Sequence, residues 1–185
     1  MKKLTIEDLN RITPEEFKQT KKIPLVVVLD NVRSMHNVGA VFRTADAFIV
    51  EKIVLCGITS CPPNAEIHKS ALGAELTVDW EYAEDTLDAV KQLKKQGYHV
   101  YSIEQVERSE MLNNLSLPDG KQGFAIVMGN EVKGVSQDVV DESDGVIEIP
   151  QVTLLLSLLI AAVILLGELQ AAIFEVVATQ AHKLV

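Results

Sequence analysis

The sequence predicts an α/β fold built on a mainly parallel sheet with helices on both faces. Three observations predict it. Apolar runs rich in Val, Ile and Leu stand at 24–29 and 124–128, with further strand patterns at 52–56 and 99–103, and uninterrupted runs of that length suit strands buried on both sides. Helical patterns fall between and after them, at 37–48, 86–95 and 137–142. Polar and glycine residues mark the turns that follow the strands, where α/β proteins bind their ligands. At 185 residues the chain suits one domain with a substantial core.

In chain order, residues 1–22 read as a helical N-terminal extension and 23–185 as the domain itself. Thr13-Pro14-Glu15-Glu16 offers an N-cap, a proline at the first helical position and a glutamate at the third, which is a capping box. The extension either helps to dock a substrate or packs on the domain surface. After the strand at 24–29 comes Asn31-Val32-Arg33-Ser34-Met35-His36-Asn37-Val38-Gly39-Ala40-Val41-Phe42-Arg43. Here Asn37 is predicted to cap the first long helix, and Gly39 permits close approach of a ligand or backbone. Arg43 falls one turn beyond Gly39 on the same side.

A second strand is expected at 52–56, a loop with Pro62-Pro63 at 57–66, and a third strand at 76–82 carrying the single tryptophan, Trp80. The segment 86–95 is amphipathic, with Leu87, Val90 and Leu93 on one face and Lys91, Lys94 and Lys95 on the other. Strands at 99–103, 124–128 and 146–149 and a short helix at 137–142 complete the pattern. Residues 152–166 are apolar or small apart from Thr153 and Ser157, yet shorter than the ~20 residues that span a bilayer. They are expected to be buried in the core and in a homodimer interface, with no membrane involved; a tail anchor is the competing reading.

The net charge of −9 argues against a protein that binds nucleic acid through its overall field. Positive charge is local: Lys2, Lys3, Arg11, Lys18, Lys21 and Lys22 crowd the N-terminus, and Arg33, Arg43 and Lys69 lie in or near the loops. Cys56 and Cys61 lack a second pair to complete a metal site and read as free thiols of a cytoplasmic protein. The acidic run of Asp138, Asp141, Glu142 and Asp144 reads as a solvated face, and no metal is expected. The charged N-terminus lacks the apolar stretch of a signal peptide.

Three stretches go further together than singly. Asn37-x-Gly39-x-x-x-Arg43, then Gly129-Asn130-Glu131-x-x-Gly134, then Ile149-Pro150-Gln151 resemble, in order and spacing, the signature motifs of the SpoU/TrmH family of RNA 2′-O-ribose methyltransferases. Lys69-Ser70-Ala71-Leu72-Gly73-Ala74 is also similar to that family. The resemblance implies the deep α/β trefoil knot of the SPOUT superfamily, a tRNA or rRNA substrate and S-adenosylmethionine as methyl donor. It implies Arg43, Asn37 and Glu131 as catalytic residues, and Gly129, Ile149 and Leu158 as donor-binding residues. Ile103, ending a strand, is a further candidate for the donor pocket wall.

The third motif departs from the family. Ser157 and Leu158 fall at the family's serine and leucine, but Thr153 stands where a loop glycine is expected, Leu155 where a basic residue is common, and Leu159 where an asparagine is expected. Two outcomes follow: an active methyltransferase with an altered C-terminal segment, or an inactive or engineered relative acting as an RNA-binding, dimerising module.

Overall fold

A computed structural model describes residues 3–5, 8, 12–150 and 166–173. Seven strands form one sheet: β1 (Ile23–Asp30), β2 (Val50–Cys56), β3 (Asp79–Ala83), β4 (Tyr98–Ile103), β5 (Glu110–Met111), β6 (Gly123–Met128) and β7 (Gly145–Glu148). Their order is β3-β2-β1-β6-β4-β7-β5, and every pairing is parallel. The helices are α1 (Pro14–Gln19), α2 (Met35–Ala47), α3 (Ala65–Ala71), α4 (Thr86–Lys95) and α5 (Gln137–Glu142), and residues 166–173 are also helical.

The two-residue period of a strand explains why β1 is apolar without a break. Leu25, Val27 and Leu29 join the core that includes α2 and α3, whereas Val26 and Val28 join the core on the opposite face with α4 and α5. Strand β6 divides in the same way, with Phe124, Ile126 and Met128 on one side and Ala125 and Val127 on the other. Burying each of these larger side chains contributes about 1.5–3 kcal/mol relative to exposure. Leu166, Leu169 and Ile173 add to the α2 side, where Gln170 Nε2 donates to the Phe48 carbonyl oxygen at 3.3 Å.

The expected capping box is present, with Thr13 Oγ1 accepting from the Glu16 N–H and Glu16 Oε2 from the Thr13 N–H. Phe17 of α1 is buried against the body, with Lys22 Nζ 3.1 Å from its ring centre. Helices α4 and α5 occupy the predicted residues.

Other expectations need correction. Ser34, not Asn37, caps α2: its Oγ accepts the Asn37 N–H at 3.2 Å, so the helix starts one turn earlier and Asn37 lies inside its first turn. The strand expected at 76–82 is shorter, because a 3₁₀ turn at Ala74–Leu76 precedes β3. Helix α3 lies where a loop was expected to run to residue 66; Asn64 Oδ1 caps it by accepting the Glu66 N–H, and Ile67 and Ala71 bury one side. Strand β5 is two exposed residues without alternation, so nothing in its sequence marks it. The apolar segment 152–165, through which a knot would be threaded, falls outside the described residues.

Helices α2 and α3 cross at Gly39. A Cβ added there would lie 2.2 Å from Ser70 Oγ and 2.3 Å from the Ile67 carbonyl oxygen. Gly39→Ala should therefore lower stability by about 1–3 kcal/mol, read as a reduced urea midpoint at an unchanged slope; an unshifted midpoint would mean that the two helices separate freely.

Candidate active site

The chain runs from β1 outward through β2 to β3, then returns to the other side of β1 through β4, β5 and β6. The direction of winding therefore reverses between β1 and β6. At such a reversal the loops leaving the strand ends diverge and leave a crevice. Leu29 pairs with Met128 near those ends, so the segment 31–34 after β1 and the segment 129–136 after β6 are neighbours.

Glu131 joins them. Its carboxylate accepts the backbone N–H groups of Arg33 and Ser34, each at 3.0 Å, and the Asn37 side-chain amide at 2.9 Å. It thus takes up donors at the start of α2, where the helix leaves N–H groups unpaired and favours negative charge. Burial works against its ionisation, but the hydrogen bonds from Arg33, Ser34 and Asn37 outweigh burial and hold its pKa below the usual carboxylate value. With both oxygens engaged, this carboxylate is a poor proton acceptor and a good clamp. Asn130 adds a second tie, its Nδ2 donating to the Asn31 carbonyl oxygen at 2.8 Å while its Oδ1 accepts from the Val132 and Lys133 N–H groups.

Sequence reasoning missed two further carboxylates. Asp30, at the end of β1, is 1% exposed and accepts from Thr86 Oγ1, Asn31 Nδ2, and both the N–H and Oγ of Ser136. Burial raises its pKa, but the bonds from Ser136, Thr86 and Asn31 more than offset that, so the net shift is downward. Glu104, just past β4, accepts the Val135 N–H at 3.0 Å. It also leaves no room for a side chain at residue 134: a Cβ there would lie 2.0 Å from Glu104 Oε2, and Gly134 has φ +70°. Gly129 is equally confined, since its Cβ would meet the backbone of Gly134 and Val135. The available signal was an acid at or just beyond the C-terminal end of an apolar strand.

The structure brings most of the candidate donor-binding residues together. Ile103 pairs with Met128, next to Gly129, and with Ile147, two residues before Ile149. Three adjacent strand ends thus present Ile103, Gly129 and Ile149; Ile103 is half-buried against the core and Ile149 is buried. Leu158, with Thr153, Leu155 and Leu159, lies outside the described residues.

Arg43 is placed apart from that group. It is exposed on α2 and lines a cavity of about 460 Å³ with His36, Ala40, Lys69 and Ser70, drawn from α2, its C-terminal cap and α3 rather than from the 129–134 loop. Ser70 Oγ donates to the His36 carbonyl oxygen at 2.9 Å, fastening α3 to the start of α2. Among the described residues Arg43 has no hydrogen-bond or ion-pair partner, so its guanidinium is available to a ligand. Within the acidic run, Glu142 and Asp144 pair with Lys94, and Asp141 accepts from Gln137.

Residues 24–166 match the SpoU rRNA Methylase family. The chain belongs to that family. It is 35% identical over 157 residues to the 23S rRNA (guanosine-2′-O-)-methyltransferase RlmB of Blochmanniella floridana, covering 82% of this chain and 60% of that protein. It is 32% identical over 127 residues to the protein of the same description from Neisseria meningitidis serogroup B, covering 69% and 49%. The chain thus spans about half to three fifths of the length of these curated relatives. Among solved structures, it superposes on an AdoMet-bound rRNA methyltransferase of Sinorhizobium meliloti with a TM-score of 0.74 at 27% identity, covering 87% of this chain and 61% of that one. A TrmH/SpoU tRNA modifying enzyme of A. aeolicus shares the fold, with a TM-score of 0.74 at 23% identity and coverage of 88% and 83%.

The carboxylate clamps set a pH dependence. A carboxylate with a depressed native pKa stabilises the fold above its unfolded value of about 4, and that contribution disappears as pH falls through the native value. Asp30→Asn should cost on the order of 2 kcal/mol at neutral pH, and the gap to the unaltered protein should narrow steadily in acid. Urea unfolding of both proteins across that range checks it; a gap independent of pH would show that the charge of Asp30 contributes nothing.

Proposed function

We propose that the chain transfers a methyl group from S-adenosylmethionine to a ribose 2′-hydroxyl of tRNA or rRNA. The observation that carries this reading is Glu131, whose carboxylate ties the loop after β6 to Arg33, Ser34 and Asn37 at the crevice where the sheet reverses. Membership of the SpoU family supports it, as do the printed descriptions of the rRNA-methylating relatives and of the AdoMet-bound neighbour.

The donor-site residues suit the group they would hold. An adenosine asks for an apolar wall and accessible backbone, which Ile103, Ile149 and Gly129 offer; the family's motif adds Leu158 as a donor-binding residue. When bound, S-adenosylmethionine supplies an electrophilic methyl group. The chain's own task is alignment. Asn37 Nδ2 is held by Glu131, while its Oδ1 has no partner among the described residues and offers an acceptor to a ribose hydroxyl. A guanidinium is a poor proton acceptor and a good partner for phosphate and hydroxyl oxygens, so Arg43 positions the phosphate or hydroxyl and stabilises developing negative charge rather than removing a proton. Residues 1–22 are assigned to an extension, in keeping with a family match that begins at residue 24.

We also assign a homodimer and a cytoplasmic setting. The apolar sequence at 152–166 supports the pairing, since one domain of this size offers such a stretch limited cover. No helix among the described residues is long and apolar enough to cross a membrane. Sedimentation should give twice the chain mass.

Labelled S-adenosylmethionine incubated with unmethylated total RNA should transfer label, and Arg43→Ala should reduce the rate by at least about a hundredfold. Titration calorimetry supplies the complementary test. Absence of heat at roughly millimolar donor would favour the inactive relative that Leu159 and Thr153 suggest, and restoring Asn and Gly at those positions should then recover binding.

A further inference from the structure

Helix α3, which borders the Arg43 cavity, also borders a second one, of about 570 Å³. Pro62, Pro63, Leu76 and Trp80 give it apolar walls, and Asn64 and Glu75 give it a polar edge. Leu76 stands at the mouth 68% exposed, whereas Glu75 is 8% exposed. Glu75 is held by His68 Nδ1 at 2.5 Å and by the Gly73 N–H at 3.1 Å. Burial raises its pKa, and the His68 and Gly73 hydrogen bonds more than offset that, so the group is ionised at neutral pH. A carboxylate has roughly four acceptor directions, so part of its capacity remains for a ligand. Asn64 Oδ1 is used on the Glu66 and Ile67 N–H groups, and its Nδ2 has no partner among the described residues.

We propose that this cavity seats an unpaired guanine of the RNA, beside the nucleotide that Arg43 addresses; the proposal rests on the RNA methyltransferase reading above. Trp80 and the two proline rings offer flat apolar surface to any base, as single-strand readers do. The carboxylate makes the choice. Guanine presents two adjacent donors, N1–H and the N2 amino group, whereas adenine and cytosine turn a ring-nitrogen lone pair toward an acceptor and uracil flanks its single N–H with two carbonyls. The Asn64 amide nitrogen is a fitting donor for guanine O6. A phosphate would be repelled by Glu75, and a purely apolar peptide would strip water from an ionised carboxylate without replacing it.

The position suits a neighbouring nucleotide. Helix α3 gives Lys69 and Ser70 to the Arg43 cavity and Ala65 and His68 to this one. Both cavities border this same seven-residue helix, about 10 Å long, a span that adjacent nucleotides of a single strand bridge.

Trp80 is the sole tryptophan, so its fluorescence reports on this cavity. The test titrates the full chain with oligouridylates of one length carrying a single central guanosine or adenosine, while anisotropy of a dye on the RNA reads total binding. Guanosine should quench Trp80 and bind roughly tenfold tighter than adenosine. Glu75→Gln should remove that preference and leave adenosine binding unchanged. Leu76→Glu should abolish quenching at an unchanged unfolding midpoint, its side chain being exposed. Binding without quenching, equal response to both bases, or a guanosine preference that survives Glu75→Gln would overturn the proposal. RNA that fails to bind at all would overturn the RNA reading with it. A chain that quenches selectively with guanosine yet transfers no methyl group would uphold the subsite and overturn the activity.

Discussion

A single carboxylate holds two distant parts of the chain in register. Glu131 lies nearly a hundred residues beyond the N–H groups it accepts at Arg33 and Ser34, and it reaches them because β1 and β6 are paired neighbours. The interaction satisfies donors that a helix start leaves open and fixes the side chain of Asn37, whose amide donates to the same carboxylate. Asp30, Asn130 and Glu104 repeat the device around it, each using a side-chain acceptor or amide to hold irregular backbone in place. Loops without such ties would sample many conformations, and ordering them on ligand binding would weaken affinity.

The arrangement also explains where glycine is tolerated and required. Gly129 and Gly134 touch each other's backbone, and Glu104 closes the remaining space. Gly39 plays a different part, allowing α3 to lie against α2 so that Ser70 reaches the His36 carbonyl. The first pair shapes a loop; the other brings together the two helices that flank Arg43.

Much of the fold was legible from periodicity. Unbroken apolar runs gave the central strands because β1 and β6 bury both faces, and the polar-apolar split of 86–95 gave α4. Elements with little burial left no such trace: β5 has two exposed residues, and α3 shows only Ile67 and Ala71 on one side. Asn37 was misplaced as a cap because Ser34 is an equally good oxygen acceptor three residues earlier, and sequence alone does not rank them. At the site, family motifs led to Arg43, Asn37, Glu131, Gly129 and Ile149, and the end of a strand led to Ile103. Asp30 and Glu104 leave no local trace of their backbone partners, because the N–H groups they accept, at Ser136 and Val135, lie 106 and 31 residues away.

Both margins of the sheet are poor templates for another chain. At one side β5 is only two residues long, and at the other β3 is short and carries Asp79 and Glu81. Short, charged rims discourage strand-to-strand addition and the fibrillar assembly it leads to. Any contact between copies is thereby steered away from the strand edges and toward the helical layers, where it opens no route to aggregation.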